Sequence, residues 1–281
     1  MASLFSSHSR SWQDNRYVYP VISRRAKGLS IGVNLNPDKV CNFDCVYCSV
    51  DRTIPALVRA VDLDRLRGEL DHLLGLAAQG EIFTLPPFDQ TSPLLRRIND
   101  VAFSGDGEPT SSPQFAAACR LAVELIHRHG LEGVKPVVIT NATLFDRPAV
   151  QEALHFLDGH GGEIWAKLDA GDEARYQRIN RSRVSLATVL SHLRAAGQKR
   201  ALVIQSLFCR LEGVGPTETE IVAYCARLQE LIAAGCRIRL VQVYTTARST
   251  AVAAVAPLTA DELRAIAHPV EALGLPVEIY G

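Results

Sequence analysis

The sequence predicts an α/β fold on a parallel sheet, in a single domain. Three observations predict it. Short apolar, β-branched runs alternate with amphipathic helical patterns along the chain. Those runs are continuously apolar, as suits strands covered on both faces. Polar residues collect at the C-terminal end of each run, which packing does not require and a common site explains. Serial β-then-α units imply right-handed crossovers. At this level a doubly wound open sheet and a barrel, full or partial, both remain open.

The elements follow in order. An arm over residues 1–28 comes first, and its Ser-rich start "MASLFSSHSRSWQDNRY" lacks the apolar core of a signal peptide, so a frayed tail is expected. The first strand is "LSIGVNL" (29–35). A helix fits 62–79, with Leu63, Leu66, Leu70, Leu73 and Leu74 on one stripe. "EIFTLPPFDQTSPLLRR" (81–97) reads as an irregular insertion with three prolines. Strand two is "DVAFSG" (100–105), and the helix after it opens with Ser112 as cap and Pro113 at its first position, stopping at Gly130. Strand three is "KPVVITN" (135–141), followed by a helix around 146–158; strand four is "EIWAKLDA" (163–170), followed by one around 185–196. Strand five is "RALVIQSLF" (200–208) and strand six "RIRLVQVY" (237–244). The boxes "TETE" (217–220) and "TADE" (259–262) start the last two helices, which end before Gly235 and Gly274. With no internal repeat and no linker, residues 29–281 read as the core domain.

Composition removes several functions. The formal charge is zero, so no broad field draws nucleic acid or an acidic membrane. The basic runs Arg24, Arg25 and Lys27, and Arg175, Arg178, Arg181 and Arg183, read as solvated faces. No stretch approaches the ~20 apolar residues that span a bilayer, and a cytoplasmic protein is expected. Seven cysteines, an odd number, argue against a disulfide framework. Cys119, Cys209, Cys225 and Cys236 lack ligand spacing and read as small buried apolar residues.

The other three stand in "CNFDCVYC": Cys41, Cys45 and Cys48. Structural zinc takes four ligands, and catalytic zinc with three is more often built from histidines. Thiol redox chemistry would use two cysteines and leave one idle. A four-iron cluster on three cysteines keeps its fourth iron open to another ligand. The spacing favours iron–sulfur over zinc and redox use. A non-catalytic iron–sulfur or zinc protein, acting as sensor or scaffold, is the alternative.

CxxxCxxC after the first strand, with Tyr47 before the last cysteine, resembles the radical S-adenosylmethionine superfamily. "SGDGEPT" is similar to its strand-two glycine–glutamate motif, "ITNATL" to the "TNGTL" after strand three, and "KLDAGDEARYQRIN" to the strand-four segment. The opening "YVYPVISRRAKGLSIGVNLNPDKVCNFDCVYC" and the close "LTADELRAIAHPVEALGLPVEIYG" resemble uncharacterised bacterial members near the radical enzymes of tRNA wybutosine synthesis. The resemblance covers nearly the whole chain. Asp106 stands where this subgroup commonly has Asn, and Ala142 where Gly is common; the second cysteine set of the wybutosine enzymes is not seen before Cys41.

The resemblance implies a partial (β/α)6 TIM-like barrel and a four-iron four-sulfur cluster held by Cys41, Cys45 and Cys48. It implies that S-adenosylmethionine chelates the open iron and is cleaved to a 5′-deoxyadenosyl radical, which takes hydrogen from a substrate. The implied cofactor contacts are Tyr47 near the adenine, Gly105, Asp106 and Gly107 in the strand-two loop, Glu108 to the ammonium, Asn141 to ribose or carboxylate, and Gln205. Lys167 and Asp169, two apart on a strand, share a face and are the catalytic candidates, against a buried ion pair as the plain alternative. An external electron donor of the flavodoxin or ferredoxin type is implied. The substrate is unassigned, with RNA slightly preferred over a small metabolite or a peptide.

Overall fold

A computed structural model of the chain describes residues 12–56 and 58–281. The frayed tail expected at the start lies, for residues 1–11, outside the described residues. Contacts gather into two compact units: the chain up to Cys41 with Pro55–Ile139 and Arg147–Glu163, and Asn42–Ile54 with Thr140–Asp146 and Ile164–Gly281.

In the first unit β1 (Val18–Ser23) runs antiparallel to β2 (Gly28–Val33), with Val18 opposite Val33. β2 is buried at all of its residues, as its unbroken apolar run predicts. It pairs in parallel with β3 (Ile98–Phe103), which pairs in parallel with β4 (Lys135–Thr140). β1 falls inside the stretch read as an arm. Pro20 obscures it, since proline is tolerated mainly in edge strands. Helix α1 (Leu63–Ala78) is capped by Asp62 and buries Leu66, Leu70, Leu73 and Leu74. The insertion forms three short 3-10 turns, Glu81–Thr84, Phe88–Gln90 and Pro93–Leu95.

Helix α2 (Phe115–Arg128) starts later than expected. The Ser112 hydroxyl accepts from Gln114 N at 3.3 Å, closing a turn that leaves Ser112 and Pro113 outside the helix. Helix α3 (Pro148–Asp158) completes the unit.

In the second unit β5 (Glu163–Lys167) and β6 (Leu202–Leu207) pair in parallel, with Lys167 beside Gln205. β7 (Arg210–Leu211) leaves the sheet; β8 (Ile238–Tyr244) joins β6 with Gln205 beside Gln242. β9 (Val255–Ala256) forms a small antiparallel ladder with β7, and β10 (Val277–Tyr280) pairs in parallel with β8. The helices are α4 (Glu173–Asn180), α5 (Leu186–Lys199), α6 (Glu218–Ala233) and α7 (Ala260–Glu271). Both expected capping boxes form, Thr217 with Glu220 and Thr259 with Glu262. β10 and α4 were absent from the sequence expectation. α4 is short and polar, so no apolar stripe announces it.

Arg175 corrects the reading of its basic run as a solvated face. It is 2% exposed, because its guanidinium turns inward to Glu220 Oε2 at 2.8 Å. Of the four scattered cysteines, Cys119, Cys209 and Cys236 are buried, as expected of small apolar residues, and Cys225 is half-buried.

Candidate functional site

The cysteine loop of the second unit is strapped to the end of α4. Asp44 N donates to Asn180 O at 3.1 Å and Val46 N to Ile179 O at 2.9 Å. Cys48 N donates to Cys45 O at 2.9 Å, so the last two cysteines flank a tight turn. Val46 and Tyr47 drive their side chains into an apolar cluster with Ile179, Leu207 and Cys209. Phe43 stands edge-on to Tyr176, ring centres 5.7 Å apart. Burial pushes the Cys45 thiol up to about 11, against the pull of the Lys167 charge. Cys41, Cys45 and Cys48 are each half-buried, and all seven cysteines are thiols.

Asp169 is the hub of this region. It follows β5, whose ladder extends one residue further through Leu168 N donating to Gln205 O at 3.0 Å. Its Oδ2 accepts from the Tyr47 hydroxyl and from Asn180 Nδ2 at 2.7 Å, and its Oδ1 from Leu207 N at 2.8 Å. Lys167 Nζ stands 3.8 Å from Oδ2 and 4.9 Å from the centre of the Tyr47 ring. The expected shared face is present, and with it the ion pair. Beside the pair, burial together with the Asp169 charge holds the Tyr47 phenol well above its usual range. Asn180 was not singled out from the sequence; it lies inside the quoted segment "KLDAGDEARYQRIN", but nothing local marks it.

Further along the unit, Asn141 Oδ1 accepts from Thr143 N at 3.1 Å and Thr143 Oγ1 at 2.7 Å, closing an Asx turn. Asn141 Nδ2 donates to Asn42 Oδ1 at 2.7 Å, joining the turn to the cysteine loop. Inside the turn Ala142 has φ +61°, the left-handed region that favours glycine. Gln205 Nε2 donates to Gln242 Oε1 at 2.7 Å. Gln205 is fully buried, and its Oε1 has no donor among the described residues.

The glycine loop of the first unit packs against the chain leading to the cysteines. A Cβ on Gly105 would meet Asn34 Oδ1 at 2.3 Å, and one on Gly107 would meet Val40 O at 2.0 Å. Close approach does demand glycine here, but the approaching groups are the protein's own, the Asn34 side chain at Gly105 and the Val40 carbonyl at Gly107. Asp106 Oδ2 accepts from Asn34 Nδ2 at 2.7 Å, and Asp106 N donates to Asn34 Oδ1 at 3.1 Å. An asparagine carbonyl could accept the same bond, so the exchange of Asn for Asp preserves the loop. Glu108 is 3% exposed. Its Oε1 accepts from Thr110 N at 3.1 Å and Thr110 Oγ1 at 2.5 Å, capping the 3-10 turn Pro109–Ser111.

The donor set fits an iron–sulfur cluster. Three soft thiol ligands lie within eight residues, without a histidine among them. Among the described residues no three His, Cys, Asp or Glu side chains converge as they would on one ion. A cluster does not require that, because each thiolate binds a different iron. Also among the described residues, no helix is long and apolar enough to cross a membrane.

The class is an α/β protein on a mostly parallel sheet that carries three thiols in the loop after its first parallel strand. The chain matches the Radical SAM superfamily over residues 35–209, and it belongs to that family. It is 29% identical over 167 residues to a UPF0026 protein of Helicobacter pylori, covering 58% of this chain and 45% of that protein. It is 30% identical over 169 residues to a UPF0026 protein of Synechocystis, covering 52% of that protein, so the matches span about half the length of these relatives. Among solved structures it is similar to a radical SAM methyltransferase from Sphaerobacter thermophilus, with TM-score 0.61, 13% identity, and coverage of 94% of this chain and 69% of the other. It is also similar to Streptococcus suis SuiB bound to S-adenosylmethionine, with TM-score 0.62, 14% identity, and coverage of 92% and 52%. TYW1 with a lysine-pyruvate adduct bound gives TM-score 0.50 at 17% identity, with coverage of 88% and 74%. These likenesses show the fold, which is the expected mostly parallel partial barrel.

Proposed function

We propose that the chain is a radical S-adenosylmethionine enzyme in which Cys41, Cys45 and Cys48 hold a four-iron four-sulfur cluster. One observation carries the reading: three thiols at CxxxCxxC spacing follow the first parallel strand of a chain that matches the family from residue 35 to residue 209. The chemistry supplied when the group is bound is reductive cleavage of S-adenosylmethionine to methionine and a 5′-deoxyadenosyl radical, which takes a hydrogen atom from the substrate.

The chain's own residues bind and orient. Glu108, held in one conformation by Thr110, accepts from the ammonium of S-adenosylmethionine. Gly105, Asp106 and Gly107 keep that loop close to the cysteine loop's approach. Tyr47, Asn141 and Gln205 are further cofactor contacts, and Gln205 Oε1 offers a buried acceptor that has no donor among the described residues. Lys167 faces the substrate as a cation or proton donor. Asp169, with both oxygens engaged, holds Lys167, Tyr47 and Asn180 in position and takes no part in proton transfer. An external donor of the flavodoxin or ferredoxin type supplies the electron.

For the substrate we propose RNA, on the resemblance to the wybutosine enzymes. Exposed Arg52, Arg181 and Arg183 lie on the cysteine loop and the segment beside its Asn180 strap, which supports contact with a polyanion. The test has two parts. After anaerobic reconstitution, the protein with dithionite and S-adenosylmethionine is expected to release 5′-deoxyadenosine, and Cys45→Ala to abolish it. Bound zinc without iron uptake would instead support the sensor or scaffold. Binding of total tRNA at low salt tests the substrate, and negligible binding there removes RNA in favour of a metabolite or peptide.

A further inference from the structure

Cys45 and Cys48 each receive an N–H donor from the chain. Asn180 Nδ2 donates to Cys45 Sγ at 3.6 Å, and Arg52 Nη1 to Cys48 Sγ at 3.4 Å. The orientation of the Asn180 amide follows from its other neighbour. The same nitrogen lies 2.7 Å from Asp169 Oδ2, and a carboxylate oxygen only accepts, so the group facing it is the NH2. Its two hydrogens serve Asp169 and Cys45, and the Tyr47 hydroxyl at 3.3 Å is a weaker third contact. Asn180 itself is held by the strap from Asp44.

The two donors differ in their surroundings. Asn180 is 1% exposed, so its bond acts in a medium of low polarisability. Arg52 is exposed, and its bond is weakened by water and salt. A thiolate ligand gains negative charge when its cluster takes up an electron. An N–H aimed at that sulfur therefore stabilises the reduced form over the oxidised one, and hydrogen bonds to sulfur are among the determinants of cluster potential.

We propose that Asn180 and Arg52 raise the reduction potential of the cluster held by Cys41, Cys45 and Cys48, with Asn180 carrying the larger share. This rests on the reading that those cysteines hold a four-iron cluster. In this role both are positioning residues: they act on the cluster's ligands and not on the reacting atoms.

The test is a redox titration of the reconstituted cluster, followed by electron paramagnetic resonance, in the wild type, Asn180→Ala and Arg52→Gln. Asn180→Ala is expected to shift the reduction equilibrium about tenfold toward the oxidised form, roughly 59 mV more negative for a one-electron couple. Arg52→Gln shifts it in the same direction by less, and that smaller shift fades as salt is added. Asn180→Ala with full iron content and an unchanged potential overturns the proposal. If Asn180→Ala loses the wild-type circular dichroism, Arg52→Gln decides alone, and an unshifted potential at low salt overturns it. A wild type that takes up no iron overturns the cluster reading too, and that failure is visible before any variant is made.

Discussion

Replacing Asp169 by asparagine changes one oxygen to a nitrogen at a point where three donors converge. Leu207 N points at one carboxylate oxygen, and the Tyr47 hydroxyl and Asn180 Nδ2 at the other. An asparagine has a single acceptor oxygen. If that oxygen faces Leu207, its NH2 meets the Asn180 NH2, two donors head to head, and the Lys167 ammonium loses its counter-charge at 3.8 Å. The lost bond to a charged acceptor is worth about 1.5–3 kcal/mol, and the uncompensated donors cost more. For a carboxylate with a 0% exposed side chain the expected loss is about 3–5 kcal/mol, as for breaking a buried pair. Removing the other partner costs less. Lys167 is 18% exposed at its side chain, and Lys167→Met leaves Asp169 with its three donors, so a smaller loss than for Asp169→Asn is expected. Urea unfolding monitored through Trp165 on β5 reads both variants. A loss below about 1 kcal/mol for Asp169→Asn, at an unchanged m-value, would refute the view of Asp169 as a structural hub and return it to the catalytic role.

Two further outcomes follow from the geometry. Gly107→Ala sets a methyl 2.0 Å from a backbone oxygen that cannot rotate away, so the loop must shift at a cost of about 1–3 kcal/mol; the thermal midpoint should fall by several degrees, and an unchanged midpoint would show the loop to be loosely packed. Asp100 is buried, bonded to the Ser30 hydroxyl, and faces Glu163, Arg25 and Lys135; burial pushes its carboxyl up to about 6. The folded chain thus holds this proton more tightly than the unfolded one, and stability falls as pH rises from about 4 through about 6. Asp100→Asn should match the wild type near pH 4 and exceed it by about 3 kcal/mol at pH 7–8; a pH-independent difference between the two unfolding curves would contradict this.

Much of the fold was legible because its signals are local. The apolar runs of β2 to β6 and β8 need only neighbouring residues to be recognised, and the boxes at Thr217 and Thr259 span four residues each. β1 and α4 escaped: one carries Pro20, and the other is too polar to show a stripe. The start of α2 moved because Ser112 used its hydroxyl in a turn two residues before the helix could take it.

The site divides in the same way. By itself the sequence displayed the cysteine triad, since its CxxxCxxC spacing is written within eight residues, and it displayed the glycines at 105 and 107. Only the tertiary structure decided what those features meet. Val40 O lies where a Gly107 Cβ would be, Asn180 comes from 135 residues away to reach Cys45, and Leu207 comes from 38 away to reach Asp169. An asparagine or a backbone amide carries no mark of its partner in the chain. Its chemistry is set by what folding brings within hydrogen-bonding distance, and that distance is not a property of sequence separation.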